Sequence, residues 1–311
     1  MVELVTFGVI LDDIVCPDGR TQMAVLGGGG PQTAWGMAAA LGGGARVGLV
    51  AGVGADLETP SLAPLSVAGI DMDGLRTTEY PTPRAWQVLE HDGRRTQVWR
   101  VPPPTLGVQL ARNWDVLPPA YRAAKAFHWG VHPDEAGSLP FARRLREQDQ
   151  RVSLEPFKPP DQPMPDDEIR ALLAACDVFS PNWFEATRIA QAETEDAILA
   201  RFRALGGRIL ALRRGEAGAS VWDLQARRGV RVPAVETNVV DTVGAGNAFC
   251  GALLARLDDG LAVAAAHASV AASYMIEQVG LPLALPDPDE YRRRLETVQR
   301  AAQMVTLDET R

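Results

Sequence analysis

The sequence contains little lysine and little cysteine, and it has no long uninterrupted apolar run. Lys125 and Lys158 are the only lysines in the 311-residue chain, so arginine carries nearly all of the positive charge. The formal net charge is -8. The lack of a basic surplus to neutralise phosphates argues against nucleic-acid binding as a main role, although a local basic pocket is compatible with this composition.

Scarce cysteine and the absence of a membrane segment limit the compartment and the partners. Cys16, Cys176 and Cys250 are scattered without a CxxC spacing, which predicts small buried side chains in a reducing environment and no disulfide or zinc site. The N-terminus becomes acidic within three residues and lacks a basic n-region, so no signal peptide is expected. The most apolar segment, 261–276, is interrupted by His267 and predicts a core helix. We therefore expect a cytoplasmic protein without a membrane or nucleic-acid partner.

Short apolar runs alternate with longer helical patterns along most of the chain. The predicted strands are 4–10, 46–53, 126–130, 152–156, 177–180, 208–212 and 219–223. The predicted helices are 31–42, 61–68, 138–149, 166–175, 183–192, 196–205, 246–257, 261–278 and 289–303. Buried strands separated by such helices are typical of a mostly parallel sheet covered on both faces. We predict an α/β fold in a single domain over residues 1–311.

Two segments interrupt this alternation with hairpin patterns. Residues 84–100 alternate around the Asp-Gly pair at 92–93, and residues 13–26 carry a second Asp-Gly pair at 18–19. Together they predict a small sheet that stands off the main body and serves as a lid or a dimer contact. The alternative is two surface hairpins without a function of their own.

Two glycine-rich loops precede helices and predict ligand contacts. In 27-GGGGPQTAWG-36, bare backbone can approach a ligand, and the helix begins with Pro31. In 244-GAGN-247, successive backbone N–H groups at a helix start form an anion site. The chain has no GxxxxGK[ST] motif and no protein-kinase signature, and Phe249 stands where a dinucleotide fingerprint needs Gly or Ala. The anion site therefore belongs to another class.

The glycine loops fall within a longer series of motifs. Segment 241-DTVGAGN-247 matches Asp-Thr-x-Gly-Ala-Gly-Asp in every fixed position but the last, and 28–42 has a Gly-Gly pair and an Ala-rich helix with Thr33 where Asn is usual. Other matching segments are 48–56, 65–71, 81–86, 92–95, 181–185 and 214–218. In their order, these motifs resemble the PfkB (ribokinase-like) family of sugar and nucleoside kinases over nearly the whole chain.

This resemblance implies a fold, an activity and partners. The fold would be a ribokinase-like three-layer α/β/α sandwich with a mostly parallel central sheet and a small β-sheet lid, formed by segments near 13–26 and 84–100. The activity would be transfer of the γ-phosphoryl of ATP, with Mg²⁺ and in some cases K⁺, to a hydroxyl of a sugar or nucleoside. The protein would be a monomer or a homodimer joined through the lid.

The resemblance also implies roles by position. Asp13, Gly28, Gly29 and Thr33 would contact the acceptor, Gly244, Ala245 and Gly246 would form the anion hole, and Asn182, Glu185, Arg213, Gly215 and Gly218 would bind the nucleotide. Glu185 would organise Mg²⁺ indirectly, and Asp241 would suit a monovalent cation. The family usually has a hydroxyl residue where Arg213 stands. Without the resemblance, Asn182 and Glu185 are better explained as a helix-capping pair, and Asp13 as the end of a strand.

Asn247 stands where the family has its catalytic base, and its amide cannot accept a proton. A positioned base contributes ~10²–10⁴-fold, whereas positioning and charge stabilisation do not need it. Three interpretations stay open: a slow or unusual kinase with another proton acceptor, a binding protein that retains the kinase fold, or an introduced substitution that traps a complex. We hypothesise a kinase with reduced activity, and the alternative is an inactive protein that binds nucleotide or a sugar-like ligand.

Overall fold

Two β-sheets form the framework of the protein, which a computed structural model describes over residues 1–91, 95–134 and 136–307. The strands of the larger sheet are β1 (Leu4–Phe7), β4 (Val47–Val53), β5 (Asp71–Thr77), β8 (Ala126–Val131), β9 (Arg151–Pro156), β10 (Val178–Phe179), β11 (Ile209–Arg213), β12 (Ala219–Asp223), β13 (Arg228–Val232) and β14 (Gln303–Thr306). The smaller sheet contains β2 (Ile10–Val15), β3 (Thr21–Gly27), β6 (Arg84–Leu89) and β7 (Arg95–Trp99).

The helices connect these strands. They are α1 (Gly29–Leu41), α2 (Ala63–Val67), α3 (Pro103–Gln109), α4 (Leu139–Arg146), α5 (Asp166–Ala174), α6 (Trp183–Ala190), α7 (Glu195–Ala204), α8 (Ala245–Ala255), α9 (Leu261–Met275) and α10 (Pro288–Ala301). Within the described ranges, no helix has the length and apolar character that a membrane crossing requires. Segment 261–276 contains a core helix, as predicted, because most of α9 is buried.

The larger sheet is mostly parallel, as predicted. Its strand order is β14-β13-β12-β11-β10-β9-β8-β1-β4-β5. All pairs from β5 to β11 are parallel, and the three pairs from β11 to β14 are antiparallel. Parallel neighbours require crossover connections, which the intervening helices supply. Their carboxyl ends therefore lie along one edge of the sheet.

Helices cover both faces of this sheet, so the fold has three layers. Successive strand side chains point to opposite faces. In β11, Leu210 and Leu212 pack into the hydrophobic core that includes α4 to α7, whereas Ala211 packs into the other core, with α1, α8 and α9. Strands that are buried on both faces consist of continuous apolar runs, and these runs predicted their positions from the sequence.

The small sheet is built from two hairpins, as predicted, in the order β3-β2-β6-β7. The hairpins join through the parallel pair β2–β6. The predicted strand 4–10 is divided, because Gly8 has a φ of 89° and turns the chain from the large sheet into the small one. The Asp-Gly pair predicted as a turn at 92–93 lies outside the described residues.

Some elements were not predicted from the sequence. They are β5, β13, β14 and α3. Of these, β5, α3 and β14 carry polar or exposed residues and lack the apolar pattern of a buried element. The cysteines are free, as predicted, but Cys16 is only partly buried because it follows β2 at a surface turn.

Helices α1 and α8 pack backbone against backbone. A Cβ at Gly36 would overlap with the carbonyl of Ala248, and a Cβ at Gly251 would overlap with the carbonyl of Thr33. Only glycine allows this approach. The contact holds together the N-terminal ends of both helices, which follow the two glycine-rich loops.

We expect Gly251→Ala to destabilise the protein even though alanine is the better helix former by about 1 kcal/mol. Its methyl group would force the two backbones apart, and overpacking of this kind costs about 1–3 kcal/mol. The melting temperature should fall by several degrees in thermal denaturation. Gly43→Ala is the matched control, since a Cβ there meets nothing within 4 Å; equal melting temperatures for the two variants would contradict the packing argument.

Candidate active site

A cleft of about 1920 Å³ opens where the carboxyl ends of the central strands face the small sheet. Residues from the ends of β1, β8, β9 and β11 line one side, and β2, β6 and β7 contribute Asp12, Gln87 and Gln97 on the other. In open α/β sheets, ligands bind beyond the carboxyl ends of the strands. The predicted site residues that line the cleft are Gly28, Gly29, Asn182, Glu185, Arg213, Gly215, Gly244, Gly246 and Asn247.

The loop before α8 is shaped for an anion. Gly244 is the N-cap of α8, with a φ of 88°, and a Cβ there would lie 2.6 Å from the side chain of Gln32. The backbone N–H groups of the first helical turn have no partner within the helix. Together with the helix dipole they favour negative charge at this end of the cleft.

Asn247 lies between the two glycine-rich loops. Its Nδ2 donates a hydrogen bond to Oε1 of Gln32 at 2.6 Å. Its Oδ1 lies beside Gly29, where a Cβ would be 3.4 Å away. The hydrogen bond to Gln32 on α1 therefore holds the side-chain Oδ1 of Asn247 at the cleft.

The structure places Asp12, and not Asp13, at the cleft. Asp13 is fully buried on the other face of β2, where it accepts hydrogen bonds from Arg84 Nε at 2.7 Å and from Arg100. Successive strand side chains point to opposite faces, and the pairing of β2 with β3 is irregular between Asp12 and Ile14. The family motif points to Asp13, whose predicted contact with the acceptor stays a prediction.

A similar one-residue shift affects Thr33. Its side chain is buried between α1 and α8 and does not line the cleft, whereas Gln32 does. Because four glycines follow one another, the Gly-Gly pair of the motif can be placed one residue earlier or later. If the pair is read as Gly27–Gly28, the polar position four residues later falls on Gln32.

Asn182 and Glu185 form the helix cap that was the alternative explanation for them. The Asn182 side chain accepts from Glu185 N, and the Glu185 carboxylate accepts from Asn182 N, both at 2.8 Å. This capping box opens α6. Both residues also line the cleft, so the cap fixes the Glu185 carboxylate at its floor.

Arg213 lies at the centre of that floor. Its Nη2 donates to the carbonyl of Ser180 at 2.7 Å and lies 3.5 Å from Glu155 and 3.7 Å from Glu185. Its Nη1 lies against Gly246, where a Cβ would overlap with it. One guanidinium therefore contacts both the acidic floor and the anion loop.

The remaining predicted site residues are Gly215, Gly218, Ala245 and Asp241. Gly215 lines the cleft, while Gly218, with a φ of 82°, closes the turn between β11 and β12. Ala245 is the first residue of α8. Asp241 is buried, and its Oδ1 accepts from Val243 N at 2.9 Å.

Comparison with known proteins places the chain in a family. The pattern of the pfkB family carbohydrate kinases matches residues 3–288. The chain belongs to this family. A cytidine kinase from Thermococcus kodakarensis is 29% identical over 261 residues, 84% of this chain and 90% of that protein.

Solved structures share the fold. A putative ribokinase II from E. coli, in complex with ATP and Mg²⁺, has a TM-score of 0.74 at 16% identity and covers 96% of this chain and 100% of its own. A nucleoside kinase from Burkholderia thailandensis, in complex with inosine, has a TM-score of 0.72 at 20% identity, with 96% and 98% covered. The predicted ribokinase-like three-layer fold and the kinase family resemblance are thereby confirmed.

Sequence reasoning missed several residues that line the cleft of this family member. They are Asp12, Gln32, Gln87, Gln97 and Glu155. Glu155 had a usable signal, since a carboxylate near the carboxyl end of a buried parallel strand lies at the ligand-binding edge. Gln87 and Gln97 had none, because their cross-strand pairing in β6 and β7 sets their direction.

We expect Asp13→Asn to destabilise the protein at neutral pH. Burial alone would raise the pKa of Asp13, but hydrogen bonds from Arg84, the backbone of Ala24 and Arg100 lower the pKa from 3.8 to about 2. Because the folded-state pKa is the lower one, the stabilisation is complete above about pH 4 and is lost as the pH falls towards 2. The shift corresponds to about 2 kcal/mol.

Urea denaturation at a series of pH values measures this effect. The stability difference between wild type and Asp13→Asn should shrink as the pH falls from 4 towards 2. Asp18→Asn is the control, since Asp18 pairs with Arg20 at the surface and such pairs contribute about 0–1 kcal/mol. A difference that does not change with pH would contradict the assignment.

Proposed function

We propose that this chain is an ATP-dependent kinase that transfers the γ-phosphoryl group to a hydroxyl of a sugar or nucleoside. The observation that carries the proposal is the junction of Asn247, Gln32 and Gly29 with the anion loop inside one cleft. At about 1920 Å³, the cleft exceeds the roughly 300–1,000 Å³ of a typical single-ligand site, so it has room for a nucleotide and an acceptor together.

The relatives support both ligands. The E. coli structure holds ATP and Mg²⁺, and the Burkholderia protein holds inosine. A relative that is 29% identical over 84% of this chain is a cytidine kinase. Nucleosides are accordingly the first acceptors to test, followed by free sugars.

The acceptor half of the site would lie between the lid and α1. Asp12 and Gln87, joined by a 2.7 Å hydrogen bond, face the cleft with Gln97. Carboxylate and amide groups of this kind bind hydroxyls and base edges. We propose Asp12 and Gln32 in the roles that the resemblance assigned to Asp13 and Thr33, with Gly28 and Gly29 giving close backbone access.

The nucleotide half would lie over the ends of β10 and β11. Asn182, Arg213 and Gly215 line it, and the N–H groups of Gly244, Ala245 and Gly246 would receive the transferred phosphoryl. Glu155 and Glu185 offer the oxygen ligands that Mg²⁺ prefers, and the bound ion would neutralise phosphate charge. The proposed monovalent-cation role of Asp241 stays a prediction.

Asn247 would position the acceptor without removing its proton. Since Nδ2 is committed to Gln32, Oδ1 is the atom that can accept a hydrogen bond from the attacking hydroxyl. Phosphoryl transfer proceeds through a loose transition state, in which alignment and charge stabilisation contribute most of the catalysis. The proton can leave to solvent or to the transferred phosphoryl group, so transfer continues at a lower rate.

The second candidate function is ligand binding without turnover. The observation that favours it is Asn247 itself, because the amide replaces the one group that would accept the proton. The retained loops, cap and cleft are expected of both functions. Only a measured rate separates them.

We expect Asn247→Asp to raise kcat at least roughly tenfold, since a positioned base contributes ~10²–10⁴-fold. The pocket can accommodate the carboxylate, because Gln32 can rotate its amide and donate to it. A phosphoryl-transfer assay over nucleosides and sugars measures the effect. Asn113→Asp is the control, since this surface cap lies outside the cleft.

If the unsubstituted protein is active, unchanged turnover in the Asn247→Asp variant would contradict the role given to the base position. No turnover by either protein, together with tight nucleotide and acceptor binding in calorimetry, would establish the second function. No binding of either ligand would reject both proposals.

We expect Asp12→Ala to weaken acceptor binding at least tenfold, because it removes a cleft-facing hydrogen-bond acceptor and frees Gln87. Calorimetry with the acceptor found in the panel measures the loss. Asp13→Asn should leave acceptor affinity within about threefold. The reverse pattern would show that the family position, and not the observed strand face, contacts the acceptor.

A further inference from the structure

Arg213 differs from the other cleft residues in the charges that surround it. Its guanidinium lies within 4 Å of both Glu155 and Glu185, whose side chains are 6% exposed, while the arginine side chain is 15% exposed. Burial alone would lower the pKa of Arg213, but the nearby carboxylates of Glu155 and Glu185 raise it, so the side chain stays cationic. The acidic floor of the cleft therefore contains one guanidinium that stays cationic at neutral pH.

This charge is held in place from two directions. The hydrogen bond to Ser180 O fixes Nη2, and Nη1 lies against Gly246 of the anion loop. Among the described residues, Nε has no hydrogen-bond partner although it is buried. A guanidinium whose Nη1 lies beside an anion loop is suited to a charge-assisted hydrogen bond with a phosphate oxygen.

The same position lies between the two carboxylates that would hold a divalent ion. A buried pair of carboxylates needs positive charge close by, and Arg213 supplies one such charge from within the chain. A neutral hydroxyl residue at this position would leave that charge to a bound ion.

We propose that Arg213 is a built-in cation of the phosphoryl site, which lets this protein bind nucleotide polyphosphates without a divalent ion. The inference rests on the proposed function, since it assumes that the cleft receives a nucleotide. Asn247 acts in the same direction, because an amide at the base position removes a negative charge beside the phosphates. Compared with the usual residues of the family, the site gains a positive charge at Arg213 and loses a negative charge at Asn247.

The test is ATP affinity, measured by calorimetry once in EDTA and once with Mg²⁺. Wild type should bind ATP in EDTA within about threefold of its affinity with Mg²⁺. Arg213→Gln, which removes the charge, should lose at least roughly tenfold in EDTA, the effect of one charge-assisted hydrogen bond, and much less with Mg²⁺. Arg213→Lys should keep binding in EDTA.

Arg214→Gln is the matched control, since the neighbouring guanidinium stacks on Trp183 at 4.3 Å and pairs with Glu195. It should not change the ratio of the two affinities. If Arg213→Gln does not fold, Arg213→Thr, which places a neutral hydroxyl residue at this position, takes its place.

An equal ratio in wild type and Arg213→Gln would overturn the inference and leave the proposed function intact, provided ATP binds with Mg²⁺. Wild type that binds ATP only with Mg²⁺ would also overturn the inference alone. Wild type that binds no nucleotide under either condition would overturn the inference and the proposed function together.

Discussion

The close approach of α1 and α8 is the contact on which the site depends. Gly36 and Gly251 remove the side chains that would separate the two backbones, so the helices meet at the distance that glycine allows. Each helix starts from a glycine-rich loop at the cleft, and their N-terminal dipoles therefore act on the same space. The hydrogen bond between Gln32 and Asn247 spans this junction. A side chain at either glycine would change the geometry of both loops.

The small sheet completes the cleft from the opposite side. It can do so because the chain leaves β1 at Gly8 and enters β2 immediately, which ties the lid to the carboxyl edge of the large sheet. Asp13 stabilises this arrangement by joining Arg84 and Arg100 beneath the lid surface. Two adjacent aspartates thus have different surroundings: Asp13 pairs with Arg84 and Arg100, and Asp12 lines the cleft. Strand alternation separates the two positions by one residue.

Much of the fold followed from sequence patterns, because doubly covered parallel strands are continuous apolar runs and the helices between them are long. The edge strands β5 and β14 could not be predicted from such patterns, since an exposed edge needs no apolar pattern. Several predicted site residues line the cleft, whereas Asp12 and Gln32, which also line it, were not predicted. Motif register is ambiguous in four glycines, and the pairing of β2 with β3 has an irregularity between Asp12 and Ile14 that no local pattern shows. The position of Arg213 against Gly246 depends on tertiary packing alone.

The two departures at Asn247 and Arg213 are best understood together, as changes in the charge of one small volume. Asn247 contacts Gln32 at one end of the anion loop, and Arg213 contacts Gly246 within it. A carboxylate base helps proton removal but repels the incoming phosphates, whereas an amide and a guanidinium favour phosphate binding at the expense of that proton transfer. Because phosphoryl transfer draws most of its catalysis from charge stabilisation, such an exchange lowers the rate without removing the chemistry. Under the proposed function, Asn247 and Arg213 would therefore fit a site that holds its nucleotide firmly and turns over slowly.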